Sequence, residues 1–342
     1  MDLKQLNDTA REIVAGKKGI LAADESTGTI KKRFDAVGAE STEDRRRAYR
    51  ELLFTATGAA DYIGGVILFD ETIRQNTRNG QPFPKLLASG GIVPGIKVDA
   101  GAKPLALAKG ETVTEGLDGL RERLAEYRGL GARFAKWRAV ITIGAYLPSE
   151  YCIRTNAHAL ARYAALCQEA GIVPIVEPEV LMDGGHTIER CEEVTENTLH
   201  AVFHELAIHH VALEGMLLKP NMVIAGKDCG KRADVRQVAE ATVRCLRRTV
   251  PASVPGVVFL SGGQTEREAT VHLNEMSKMG AHPWALSFSY GRALQASALD
   301  AWRGKDANVP AAQKAYLHRA RCNGLARIGQ YTEAIEREHA TV

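Results

Sequence analysis

The residue with the most chemistry to offer is a lysine set just before a proline at the end of a short apolar run. Residues 215–222 read GMLLKPNM, with Lys219 followed by Pro220. Proline disfavours helix at the residue before it and ends strand pairing, so the run predicts a strand with a lysine at its tip. With a reference pKa of about 10.4, only roughly one lysine in 10³ to 10⁴ is the nucleophilic free amine at pH 7. Its surroundings must lower that value, and several charged residues stand in comparable places. Asp24, Lys97, Lys136 with Arg138, Glu177 with Glu179, Ser261 and Arg292 all end, or just follow, other short apolar runs. Within a strand, a spacing of two puts Lys136 and Arg138 on one face, and likewise Glu177 and Glu179.

If these strand ends converge, cations crowd one mouth, and their repulsion favours the neutral amine of the deepest lysine. The apolar flanks Met216, Leu217, Leu218 and Pro220 select Lys219. A fall to about 7.5 would free roughly a quarter of the amine at pH 7. Such an amine forms a Schiff base with a carbonyl and becomes an electron sink for breaking an adjacent carbon–carbon bond. Glu177 and Asp24 supply the acid–base groups this needs, one at the carbinolamine and one at a substrate hydroxyl. Ser261-Gly262-Gly263 and Tyr290-Gly291-Arg292 follow the last two runs, where glycine N–H groups and a cation hold phosphate in many barrels. Lys97 with Ser26 and Thr29 would make a second anionic grip. Two grips about a Schiff-base lysine describe a bisphosphorylated ketose.

The elements that must position these residues alternate regularly. After a first helix ending near Gly16, strands are expected at residues 19–24 (GILAAD), 64–69 (GGVILF), 91–99 (GIVPGIKVD) and 132–140 (ARFAKWRAV). Four more are expected at 172–179 (IVPIVEPE), in the Lys219 run, at 256–261 (GVVFLS) and at 285–290 (ALSFSY). Helical periods fill the gaps, clearest at Leu160, Tyr163, Ala164 and Cys167, between Pro148-Ser149-Glu150 and Gly171. A second long helix is expected over 190–210. Eight strands alternating with helices predict an α/β fold, a (β/α)8 TIM barrel, as a single domain over 1–342 with an N-terminal helix and a polar C-terminal tail from about 332. An open doubly wound sheet is the alternative.

Composition narrows the class. The chain has 342 residues, with 44 Lys and Arg against 41 Asp and Glu, a net charge of +3 that leaves no nucleic-acid footprint. Six scattered cysteines read as reduced thiols of a cytoplasmic protein, and no run approaches the roughly 20 apolar residues of a membrane span. The start, MDLKQLNDTAREIV, lacks a signal-peptide core, so a soluble intracellular protein is expected. His204-Glu205 with His209 and His210 misses the HExxH spacing, because the second histidine lies five or six residues after the first. Residues 226–231 (GKDCGK) fall one short of a P-loop and lack its hydroxyl. Arg45, Arg46, Arg47 and Arg50, after the capping Ser41 or Thr42, read as a solvated helix face, as do Arg244, Arg247 and Arg248.

The motifs LAADES, GGVILF, GIKVD, FAKWR, IVPIVEPE, LLKPNM, FLSGGQ and SYGRALQ follow one another in order. Together they closely resemble class I fructose-1,6-bisphosphate aldolase, over nearly the whole chain to about Tyr331. The resemblance implies that Lys219 is the Schiff-base lysine, Glu177 the main proton shuttle and Asp24 the group acting on the C4 hydroxyl. It implies Lys136 and Glu179 as electrostatic partners, and Ser261, Gly262, Gly291 and Arg292 as the grip on the 1-phosphate. Ser26, Thr29 and Lys97, with Arg33, would hold the 6-phosphate. Arg138, Gly263 and Ser289 complete the implied substrate contacts. Thr29 stands where the family often has serine and keeps the hydroxyl. A homotetramer without metal or cofactor is implied, acting on phosphorylated ketose and triose substrates. The chain closes on His339-Ala340-Thr341-Val342 rather than a terminal tyrosine, so no residue inherits that tyrosine's role. Cleavage of sedoheptulose 1,7-bisphosphate is the alternative activity, and a scaffold role towards acidic partners an added one.

Overall fold

The computed structural model describes residues 2–338. Eight strands close into a barrel in chain order. They are β1 (Gly19–Ala23), β2 (Ile63–Leu68), β3 (Val93–Lys97), β4 (Phe134–Ile141), β5 (Val173–Val180), β6 (Leu217–Leu218), β7 (Gly256–Phe259) and β8 (Ala285–Tyr290). All neighbours pair parallel, and β1 closes on β8 with Ile20 opposite Ser289. The fold is the expected (β/α)8 barrel. Every residue of β2 and β5 is buried, because parallel strands lie between the barrel interior and a sleeve of helices.

The N-terminal helix, Leu3–Ile13, is capped by the Asp2 side chain and buries Leu6, Ala10 and Ile13 along one stripe. That stripe joins Ile20, Ile67, Phe134, Val173, Leu217 and Val258 to form a stopper across the barrel floor. Two glycines make room for it. A Cβ on Gly64 would lie 2.1 Å from the Ile13 carbonyl oxygen, and one on Gly95 would lie 2.3 Å from the Phe134 ring.

The sleeve follows its capping signals. Ser149 caps the helix Glu150–Glu169, Thr187 caps Ile188–Ile208, and Asp234 and Thr265 head capping boxes on Val235–Thr249 and Glu266–Lys278. Thr42, one of the two expected caps, serves Glu43–Phe54. After Asp24 the chain enters a helix, Thr27–Ala36, with Ser26 at its N-cap position.

The strand bearing Lys219 is shorter than expected. Only Leu217–Leu218 is regular, preceded by a tight turn at Leu213–Gly215. Pro220 has no N–H to extend the ladder, which continues as single bonds from Lys219 N to Val176 O (2.8 Å) and from Leu260 N to Pro220 O (3.1 Å). The Asn221 side chain then accepts from Val180 N at 3.0 Å, replacing the missing backbone partner.

The segment read as a polar tail begins as a short helix, Glu333–Arg337, capped by Thr332. Glu336 takes a bond from Tyr331 (2.7 Å) and pairs with the buried Arg319. Residues 339–342 lie outside the described residues. All six cysteines are free, five of them buried.

Because the Gly64 site has no space for a Cβ, Gly64→Ala is expected to lower stability by about 1–3 kcal/mol in chemical denaturation. Gly129→Ala, on a helix with nothing within 4 Å, is expected to be neutral or stabilising by up to about 1 kcal/mol. Equal effects would show that the stopper does not set the Gly64 requirement.

Candidate active site

A single cavity of about 730 Å³ opens at the C-terminal end of the barrel, and every site residue expected from sequence lines it. Seven of the eight strands deliver polar side chains to it, those of β4 and β5 from within the ladder and the others from at or near strand ends. Asp24 follows β1, Lys97 ends β3, Lys136 and Arg138 lie in β4, and Glu177 and Glu179 in β5. Lys219 follows β6, Ser261, Gly262 and Gly263 follow β7, Ser289 lies in β8, and Gly291 and Arg292 come just after it. Arg138 stands in register with Glu177, and Lys136 with Lys97.

The centre is an alternation of buried charges. The Lys136 ammonium lies 2.7 Å from Asp24, 3.5 Å from Glu177 and 3.9 Å from Asp99. Lys219 Nζ lies 3.1 Å from the other oxygen of Glu177. Arg138 pairs with Glu179, and Lys97 pairs with Asp99 at 2.9 Å. Four carboxylates (Asp24, Asp99, Glu177, Glu179) thus face four cations (Lys97, Lys136, Arg138, Lys219).

This corrects the crowding of cations expected from sequence. The reason is geometric: carboxylates from β1, β3 and β5 interleave with ammonium groups from β3, β4 and β6, and no one-dimensional spacing reveals that. Burial alone would push the Asp24 carboxyl up, but the charges of Lys136 and Lys219 and the Lys136 hydrogen bond hold it well below the usual range. Burial likewise opposes the Lys136 charge, and Asp24, Glu177 and Asp99 overcome it and raise the lysine.

Two polar atoms in this crowded centre, Glu177 Oε2 and Ser289 Oγ, are buried without a hydrogen bond. The Glu177 Oε2 is turned towards Lys136, 3.5 Å away, while Oε1 of the same carboxylate faces Lys219.

Towards the rim, two helices begin at the mouth without a side-chain cap. One is Arg292–Trp302, after Gly291, and the other is Thr27–Ala36, after Ser26. Their open N–H groups suit an anion. Arg292 is exposed and makes no ion pair among the described residues, giving only one bond to Gln264 O (3.2 Å). At the other end Ser26 and Thr29 share a hydroxyl bond of 3.1 Å, and Arg33 is held by Glu25. Of Gly262 and Gly263, just beyond β7, Gly263 is the one whose backbone conformation favours glycine. A Cβ on Gly262 would sit 2.4 Å from Met182 Cε, and Gly263 has φ +74°.

Sequence reasoning missed three supports. Asp99 takes bonds from Gly101 N (3.1 Å) and Arg138 N (3.3 Å) while pairing with Lys97. Glu25, buried, bridges Arg33 and Arg50, and Gln295 donates to it at 2.9 Å. Arg50, expected on a wet helix face, is 3% exposed and meets Glu25 at 2.6 Å. Arg46 is likewise drawn inward, pairing with Glu71 at 2.6 Å. A buried position inside the Arg45–Arg50 run was the available signal, since Tyr49 and Leu53 define the inward stripe and Arg50 lies beside them.

Known proteins resemble the chain closely in sequence and fold. The family model "Fructose-bisphosphate aldolase class-I" matches residues 5–342. A Xanthomonas campestris protein named "Probable fructose-bisphosphate aldolase class 1" is 61% identical over 332 residues, 97% of this chain and 99% of that protein. The "Fructose-bisphosphate aldolase" of Dictyostelium discoideum is 57% identical over 96% of this chain and 93% of its own. The crystal structure of fructose-bisphosphate aldolase from Plasmodium falciparum, in complex with TRAP and a small-molecule inhibitor, is similar with a TM-score of 0.95. It is 52% identical and covers 96% of each chain.

Removing one member of the buried charge cluster strands the others. Lys136→Met is expected to cost roughly 3–5 kcal/mol at pH 7. Asp24 is depressed in the fold, so its contribution is present above the unfolded value of about 3.9 and is lost as pH falls towards the folded one. The gap between wild type and Lys136→Met should therefore narrow below about pH 4 in denaturant titrations. A gap independent of pH would rule out Lys136 as the group that holds Asp24 ionised.

Proposed function

The chain belongs to the class-I fructose-bisphosphate aldolase family, and from that premise we propose how its mouth performs the family's reaction. The enzyme is a lyase that cleaves fructose 1,6-bisphosphate reversibly to dihydroxyacetone phosphate and glyceraldehyde 3-phosphate. The observation that carries the residue roles is the pair Lys219 and Glu177, buried together 3.1 Å apart.

In this reading Glu177, 3.1 Å from Lys219 Nζ, takes the lysine's proton and frees the amine. The amine attacks the C2 carbonyl. Glu177 returns the proton to the carbinolamine hydroxyl, water leaves, and an iminium forms whose positive charge stays beside the carboxylate. The C4 hydroxyl then gives its proton to the Glu177 carboxylate, the C3–C4 bond breaks, and its electron pair flows into the iminium to give an enamine. Glyceraldehyde 3-phosphate departs, Glu177 delivers that proton to the enamine at C3, and addition of water to the regenerated iminium releases dihydroxyacetone phosphate and the free lysine.

The depressed Asp24 carboxyl makes a poor base, so its part is to accept a hydrogen bond from the C4 hydroxyl and hold it, while Glu177 carries protons. Lys136 fixes both carboxylates, and Glu179 holds Arg138. Arg292, Ser261, Gly262, Gly291 and the unpartnered Ser289 hydroxyl hold the 1-phosphate. Lys97, Arg33, Ser26 and Thr29 take the 6-phosphate, with Gly263 and Arg138 at the margins.

Borohydride added with dihydroxyacetone phosphate should leave a reduced adduct on Lys219, found by peptide mass mapping, and none in Lys219→Met. The chemistry runs on side chains, so turnover should survive a chelator. An adduct on another residue, or activity lost with chelator, would overturn this mechanism.

We carry over a homotetramer acting in the cytoplasm and glycolysis as part of the same reading. Among the described residues no helix is long and apolar enough to cross a membrane. Light scattering on the purified chain is expected to give a four-chain mass, and a monomer at micromolar concentration would remove the assembly.

A further inference from the structure

We infer that His158, Glu205 and His209 form a binding site for a borderline divalent transition-metal ion of the zinc type, on the outside of the barrel and apart from catalysis. The histidine-rich segment 204–210 fails as a zinc motif within one helix, but the fold brings in a third residue from the neighbouring helix. His158 lies on the helix Glu150–Glu169, Glu205 on Ile188–Ile208, and His209 is the latter's C-terminal cap. One potential ligand atom from each lies within 4.8 Å of the others. His158 Nδ1 is 3.2 Å and His209 Nδ1 3.6 Å from the same Glu205 oxygen, and the two rings meet edge to face at 4.9 Å.

The chemistry is that of a divalent cation held by two imidazoles and a carboxylate. Ligand atoms about 2.0–2.2 Å from a tetrahedral zinc sit roughly 3.3–3.5 Å from one another, so shifts of about 1 Å close the site. His209 is already oriented. Its Nδ1, 3.6 Å from the Glu205 carboxylate, also lies 2.8 Å from the Glu205 carbonyl and exchanges that contact for the metal. Among the described residues the ion pairs of Glu205 run to these histidines and to no lysine or arginine. A metal would supply the missing positive charge, and the negative end of a 21-residue helix at His209 adds to its attraction.

The other three-residue cluster, His318, Cys322 and Glu336, is filled differently. Arg319 and Tyr331 already occupy the Glu336 carboxylate. None of His158, Glu205 and His209 lines the mouth cavity, so occupancy should bridge two outer helices and leave turnover unchanged.

The test is calorimetric titration of the chelator-stripped full chain with zinc chloride, in a Cys229→Ser background that removes the half-exposed thiol. One zinc per chain is expected, with a rise in Tm. His158→Ala and His209→Ala should each weaken binding about tenfold or more, whereas His204→Ala, an exposed histidine of the same helix, should not. Glu205→Gln provides a near-isosteric variant should an alanine change fail to fold, and it should weaken binding similarly. No binding at roughly 100 µM zinc, or equal affinity in His158→Ala and His204→Ala, would overturn the site. Aldol turnover measured in chelator on the same samples keeps this outcome separate from the catalytic reading.

Discussion

The barrel mouth depends on one ammonium group kept charged out of water. Lys136 is 3% exposed and is surrounded by Asp24, Glu177 and Asp99. Burying an ion is expensive unless opposite charge and hydrogen bonds compensate it, so the three carboxylates and the lysine hold one another in place. From that centre the rest is ordered outwards. Glu177 is left with one oxygen towards Lys136 and one towards Lys219, Asp99 is turned towards Lys97, and Asp24 is locked at the tip of β1. A cluster of this kind specifies geometry more than it adds stability, and geometry is what the proton-shuttling role proposed for Glu177 requires.

Much of this was legible in the chain. Parallel strands buried on both faces read as short apolar runs, and polar residues at their ends can only point into the mouth. That logic located Asp24, Lys97, Lys136, Glu177 and Lys219 without coordinates. It failed for charge balance, because sequence shows that a cation stands at a strand end and not which carboxylate faces it across the barrel. It also failed for Arg50. A run of arginines on a helix resembles a solvated face, and only the close approach of Glu25, buried after β1, makes one of them an interior residue. Asp99 was passed over for the same reason, its role being set by Lys97, Gly101 and Arg138 together.

The shortness of β6 shows how a buried lysine can be held firmly by little regular structure. Two residues pair as strand, the proline ends the ladder, and Asn221 completes it with a side chain. Its Nδ2 in turn donates to Thr195 (3.2 Å) and Met222 O (3.1 Å), tying the backbone beyond Lys219 to a surrounding helix. The lysine is therefore fixed from both sides while its own side chain stays free to change bonding partners.

The helix Leu3–Ile13 turns the barrel into a blind vessel, since its apolar stripe fills the floor that the strands would otherwise leave thin. A molecule split inside such a vessel yields two fragments and one doorway. On the proposed mechanism they leave in turn, the unattached aldehyde first and the lysine-bound ketone after it. In the reverse direction the order of entry is the mirror of this, so saturation by one triose phosphate decides which complex accumulates when both are abundant.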